Sequence, residues 1–309
     1  MPRFPAFVMA GLVITTCIST YGQESSWTGS AGALFMGRSD PNSVPLLLSA
    51  AGATKFNAQQ MDFNVATGLE IGVSRETQYG RVEFRYFQID GWNAVGNTPF
   101  LAPDLEGYVP PGGLGAPGVV TFQNKSELHS GEINIWRPVH ECLSVSAGFR
   151  WAELDDRLEQ AFVVGGGTVA FRTDALNHLY GVQVGADASL LTREKCEIRG
   201  IAKVGFYGNR ADQSTTEAVL PAGFSGAGGI RDDGTAFLGE FGVKGKWQIK
   251  PTINFVAEYR LMWIDGVALA PDQLPHTPTP FPTGTTVPRR LDRSTVFYSG
   301  AFIGLEITH

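Results

Sequence analysis

Residues 177–191 read NHLYGVQVGADASLL. Alternate positions, His178, Tyr180, Val182, Val184, Ala186, Ala188 and Leu190, are bulky or apolar. Between them lie Asn177, Leu179, Gly181, Gln183, Gly185, Asp187 and Ser189. A period of two marks a strand with one apolar face. Ordinary strands run about five or six residues, and this one is about twice as long. Its apolar side therefore faces something thicker than a protein core, and the Gln183 and Asp187 side is read as an enclosed interior.

The rest of the chain fits that opening. Only 17% of its 309 residues are charged, against 38 glycines and 18 prolines. Soluble domains average about 25% charged residues. Mean hydropathy is close to zero, and the body of the chain has no apolar run of the roughly 18 residues that a membrane helix needs. The net charge of −6 excludes a basic nucleic-acid footprint. Near the start, Arg3 precedes FVMAGLVITTCIST (7–20) and polar YGQESS (21–26). A positive residue, a short apolar core and small residues near a cleavage point describe a secretory signal peptide over 1–22, leaving 23–309 as one domain. Of the cysteines beyond it, Cys142 and Cys196 each precede a strand with one strand between them. Strand spacing sets them too far apart for a disulfide, so both are expected as thiols.

Period-two reading gives nine further strands: 27–37, 60–76, 80–90, 125–137, one from Leu143, then 196–209, 234–250, 252–265 and 294–308. Connections alternate between tight turns and long Pro/Gly-rich loops at 38–59, 91–124, 210–233 and 266–293. The stretch 154–173 reads as one hairpin extended past the apolar band and turning at Gly165–Gly167; if it formed its own pair in the wall, the strand count would be twelve. An even count with short turns at one end and long loops at the other is the rhythm of an outer-membrane barrel. A sheet in hydrocarbon must close on itself, because lipid offers its backbone no partner. The expectation is all-β: a transmembrane, antiparallel, up-and-down barrel of about ten strands. Tyr86, Trp151, Phe206, Phe237, Trp247 and Trp263 near strand ends suit interfacial aromatic girdles. A secreted β-sandwich would show shorter strands and loops of similar length at both ends.

Alternation also assigns the interior. Its cations are Arg81, Arg85, Arg150, Arg199, Lys203, Lys244 and Arg260. Its anions are Glu70, Glu83, Glu132, Asp187, Glu240, Glu258 and Glu306. These fourteen lumen-lining residues form either a charged aqueous passage or an ion-pair network that fills a narrow barrel. About ten strands enclose little more than their own side chains, and matched signs are what a filled interior requires.

Several stretches carry a resemblance: ALFMGRSDPNSVPLL (33–47), GEINIWRP (131–138), SAGFRWAELDDRLE (146–159) and NHLYGVQVGAD (177–187). In that order they resemble the β-barrel porin-7 family of bacterial outer-membrane barrels, known mostly from planctomycetes. The resemblance runs from about residue 27 to the C-terminus. It implies an outer-membrane location in a Gram-negative-type envelope and little about activity, and no catalytic residues carry over from it. One departure is FIGLEITH (302–309): Gly304 and Ile307 keep the usual spacing, but His309 stands where many such barrels end in an aromatic residue.

The function expected is porin-like: passive diffusion of small polar solutes through a narrow charged lumen. The alternative is a structural or adhesive surface barrel with a plugged lumen, whose long external loops bind. Expected partners are outer-membrane lipid and the outer-membrane assembly machinery, besides any solute, with no nucleic acid, cofactor or metal. An enzyme is not expected: GxSxG and HExxH are absent, and His129, His140, His178, His276 and His309 are scattered. RDDG (231–234) and PDLEG (103–107) resemble external cation turns, for which a solvated turn is the plainer reading.

Overall fold

In the computed structural model the described residues are 26–49, 51–101, 117–164, 167–220, 224–273 and 291–309. The signal-peptide expectation over 1–22, His276 and the PDLEG stretch lie outside them. The strands in chain order are β1 (Trp27–Arg38), β2 (Pro45–Leu48), β3 (Thr54–Asn57), β4 (Ala66–Thr77), β5 (Gly80–Phe100) and β6 (Gly118–His140). Then follow β7 (Leu143–Val164), β8 (Gly167–Arg193), β9 (Cys196–Leu220), β10 (Phe224–Lys250), β11 (Ile253–Val267) and β12 (Ser294–Thr308). Ten of them, all but β2 and β3, form one antiparallel sheet in sequence order, and β12 pairs with β1 to close it. The seam is well defined. Thr28 faces Thr308 and Arg38 faces Tyr298, and the Trp27 and His309 backbones exchange N–H···O bonds of 3.0 and 2.8 Å. Closure leaves no edge strand with unpaired backbone groups.

Alternation decides the two faces. On β8, Tyr180, Val182, Val184 and Leu190 are exposed on the outside, while Leu179, Gln183 and Asp187 are buried within. On β10 the outward positions Phe237, Phe241, Val243 and Trp247 are interleaved with inward Leu238 and Glu240. The ten steps from Phe237 to Trp247 span about 34 Å along the strand. With a tilt of about 40° this is a height of about 26 Å, which matches the roughly 25 Å apolar band of membrane barrels. The girdle at its upper edge is contiguous: Phe206 and Phe237 rings lie 5.4 Å apart, and Phe237 and Trp263 rings 6.2 Å apart. Near the other end lie Trp27 and Trp247, both exposed.

Four two-residue turns, 78–79, 141–142, 194–195 and 251–252, join strands at the end where β1 begins and β12 finishes. Two of the expected long loops are shorter than the sequence suggests at the other end. β5 continues to Phe100, β6 starts at Gly118, β9 runs to Leu220 and β10 starts at Phe224. RDDG is therefore ladder and not a turn; Arg231 pairs with Asp212, and Asp232 with Arg293. The apolar pattern ends where lipid ends, but the hydrogen-bond ladder does not. Residues 154–173 extend the β7–β8 hairpin, with Leu154 opposite Asn177 and Val164 opposite Gly167, so the wall has ten strands and not twelve. The 38–59 loop folds into the β2–β3 hairpin and a 3-10 turn, Ala58–Gln60, closed by an Asn57 capping box. Cys142 and Cys196 are not bridged.

Candidate functional site

The interior is layered along the barrel axis. At the short-turn end is a polar vestibule, a cavity of about 100 Å³. Arg81, Glu83, Arg199, Lys244 and Glu306 line it together with Asp187. Asp187 sits 2.7 Å from Arg199 Nε and 3.6 Å from Arg81. Lys246, on the same face of β10 as Lys244, holds Glu306 at 2.5 Å. All fourteen residues assigned inward by alternation face this interior, six in the vestibule wall and eight in or around the layer above it.

That second layer is an ion-pair network of four carboxylates and four cations, Glu70, Glu132, Glu240 and Glu258 with Arg85, Arg150, Lys203 and Arg260, linked to the vestibule where Lys203 lies 3.9 Å from Glu83. Antiparallel register places Glu132 on β6 directly between Arg85 on β5 and Arg150 on β7, at 2.7 Å from each. Glu240 reaches across from β10 to Arg85 at 2.5 Å and Arg150 at 2.6 Å. Arg260 is held by Glu70 at 2.7 Å and Glu258 at 2.8 Å. Arg150 and Arg260 are both 0% exposed. Gln183 donates to Glu132 and Asn134, at 2.7 Å each, and accepts from Tyr207 Oη at 3.1 Å. Gly181 makes room for that tyrosine, since a Cβ there would lie 2.7 Å from the Tyr207 ring. Charges buried this deeply are tolerable only when paired, and the four-to-four match provides the pairing.

Above the charges lies an apolar layer that includes Leu34, Met36, Phe87, Ile89, Trp92, Leu179, Met262 and Tyr298. Trp92 Nε1 donates to the Met36 carbonyl at 2.8 Å, and the Trp92 and Tyr298 rings lie 5.0 Å apart. Higher still, the wall residues Phe100, Phe122, Phe162 and Phe171 pack with Val44, Leu47, Phe56 and Met61 from the β2–β3 segment and with Ala268 and Ala270 from the segment after β11. Phe56 stacks on Phe122 with centroids 4.7 Å apart.

Polar bolts hold that upper plug. Asn177 on β8 donates to the Ala268 carbonyl at 2.8 Å and accepts from the Ala268 N–H at 2.7 Å. Asp156 on β7 accepts from Ala270 N–H at 2.8 Å and pairs with Arg38 at 2.5 Å. Asp272 accepts from Asn42 and from the Ser294 hydroxyl. Burial pushes its carboxyl above the usual range, against those two hydrogen bonds. Sequence reading missed Arg38 and Asp156, although parity could have found them. Arg38 continues the inward series Leu34, Met36, and Asp156 sits between inward Leu154 and Leu158. The bolts to Ala268 and Ala270 carry no sequence signal, because their partners are backbone groups.

None of the described histidines enters the buried layers. His129 and His178 face outward beside Asp90 and Glu153, His140 is at a turn and His309 ends the chain. The interior sets paired charges below an apolar layer.

The molecule is thus a ten-stranded, up-and-down β-barrel with a lipid-type surface and a packed interior. No family model matches the chain, so the porin-7 resemblance stays at the level of its four motifs. No curated protein sequence matches it either. Among solved structures, the outer membrane protease OmpT from Escherichia coli aligns at a TM-score of 0.48 and 11% identity, over 92% of this chain and 96% of that one. The translocator domain of autotransporter NalP from Neisseria meningitidis aligns at 0.42 and 8%, over 91% and 88%. An anion-selective porin from Comamonas acidovorans aligns at 0.19 and 9%, over 93% and 100%. At such scores none of these likenesses says what this chain does.

Proposed function

We propose that the protein is an integral outer-membrane barrel with a closed lumen, which carries the long β5–β10 extension beyond the bilayer as a rigid surface platform. The observation that carries this is the packed cross-section. A solute entering from the vestibule meets Arg150 and Arg260, both wholly buried, and then the apolar layer around Trp92 and Tyr298. To pass, it would have to break a neutral ion-pair network and displace a plug bolted through Asn177 and Asp156. The charged passage expected from the sequence is replaced in this reading by charges that neutralise one another. The outer membrane is the compartment that such a barrel surface and the porin-7 resemblance both suit.

Planar-bilayer recording on refolded full-length protein tests it. Insertion without conductance steps is the expected result. Reproducible ohmic steps in small electrolyte would sink the closed reading and restore passive diffusion of small polar solutes past the vestibule residues.

A further inference from the structure

Outside the interior, one cluster of side chains is built rather than scattered. β5 carries a bulge: Ile89 pairs with Leu128 and Trp92 with Ser126, so Asp90 and Gly91 together oppose the single residue Glu127. Gly91 has φ +93°, a left-handed conformation that suits glycine. The extra residue keeps both Ile89 and Trp92 in the core, each 0% exposed, and fixes Asp90 outward against Glu127. His129 lies two residues along β6 on the same outer face, just beyond Tyr86 of the girdle. Two carboxylates set opposite one another across a ladder repel, so the bulge builds a place for positive charge.

The imidazole is oriented for that purpose. Tyr86 Oη donates to Gln88 Oε1 at 3.2 Å and lies 3.1 Å from His129 Nδ1. With its own proton committed to Gln88, the Tyr86 oxygen accepts from Nδ1–H. The Nε2 lone pair then points toward Asp90, 3.4 Å from Oδ1. A lone pair facing a carboxylate oxygen calls for a cation between them. Ligand atoms of Asp90, Glu127 and His129 all lie within 4.8 Å of one another. We propose that these three residues bind a first-row divalent cation of the Zn²⁺ class at the outer edge of the membrane band, with a fourth position open to water. One imidazole and two carboxylates suit zinc, whereas calcium and magnesium favour all-oxygen sites. The Tyr86–Nδ1 contact is the outer hydrogen bond that such ligands usually have.

Calorimetric titration of ZnCl₂ into the full chain in detergent tests this, in a Cys17→Ser/Cys142→Ser/Cys196→Ser background that removes thiol binding. One stoichiometric site is expected, absent in His129→Ala and weakened at least about tenfold in Glu127→Gln. Tyr86→Phe should weaken it about 10- to 100-fold while heat-modifiable gel mobility is kept. If folded protein takes up no zinc, the proposal fails. Zinc binding unchanged in His129→Ala would overturn it equally.

Discussion

Glu240→Gln removes the one carboxylate, among the described residues, that spans the lumen to reach two arginines on far strands. In the native protein its oxygens lie 2.5 Å from Arg85, 2.6 Å from Arg150 and 3.7 Å from Arg260. The substitution keeps shape and volume but leaves four buried cations facing three carboxylates. Removing one partner of a buried network costs about 3–5 kcal/mol, because the remaining charge has no water to return to. An exposed pair would cost under about 1 kcal/mol. Reversible urea unfolding in lipid vesicles, followed by tryptophan fluorescence, measures the difference. Adding Arg150→Met restores a three-to-three balance, and replacing a whole buried pair with apolar bulk is often neutral. The double variant should therefore regain at least about 2 kcal/mol over Glu240→Gln. A single-variant loss below about 1 kcal/mol, with no recovery in the double variant, would mean that water already fills this layer. The closed-lumen reasoning would then be wrong.

Other perturbations probe the lipid face and the plug. Val184→Arg puts charge at the middle of the outer band and should cost about 2–4 kcal/mol in folding into bilayers; an unchanged unfolding curve would reverse the face assignment. Asn177→Ala leaves buried backbone groups of Ala268 without partners and should cost about 1–3 kcal/mol, visible as faster hydrogen exchange across 266–273. Asp272 gives a pH signature. Its folded carboxyl titrates above the unfolded one, so its contribution is complete below the ordinary carboxylate value and is lost as pH rises through the folded value. Exchange protection of the plug should therefore increase on acidification across that window in the wild type and stay level there in Asp272→Asn.

Much of this was legible before any coordinates. The wall could be read because lipid and interior impose opposite chemistry on alternate residues, as Val182, Gln183 and Val184 show. The inward charges followed from the same parity, and even the balance of signs pointed to a filled barrel. What could not be read has physical causes. The strand from 196 ends later than 209 and the next begins earlier than 234, since Ala211, Gln213 and Thr215 continue the ladder where no lipid marks the outer face. The plug escaped notice because Phe56 and Ala268 sit in Pro/Gly-rich connections without periodicity, and their anchors are backbone hydrogen bonds. The bulge at Asp90 was hidden too, because one extra residue shifts parity and only the partner strand reveals it.

The central claim is that one face of 177–191 meets hydrocarbon across the whole bilayer. Single nitroxide labels at Tyr180, Val182, Val184, Ala186, Ala188 and Leu190 in vesicles test it most directly. Oxygen accessibility should exceed that of a water-soluble paramagnetic complex at each of the six, with the largest excess near the middle of the series and a reversal at His178. Aqueous access at Val184 equal to that at His178 would contradict the account.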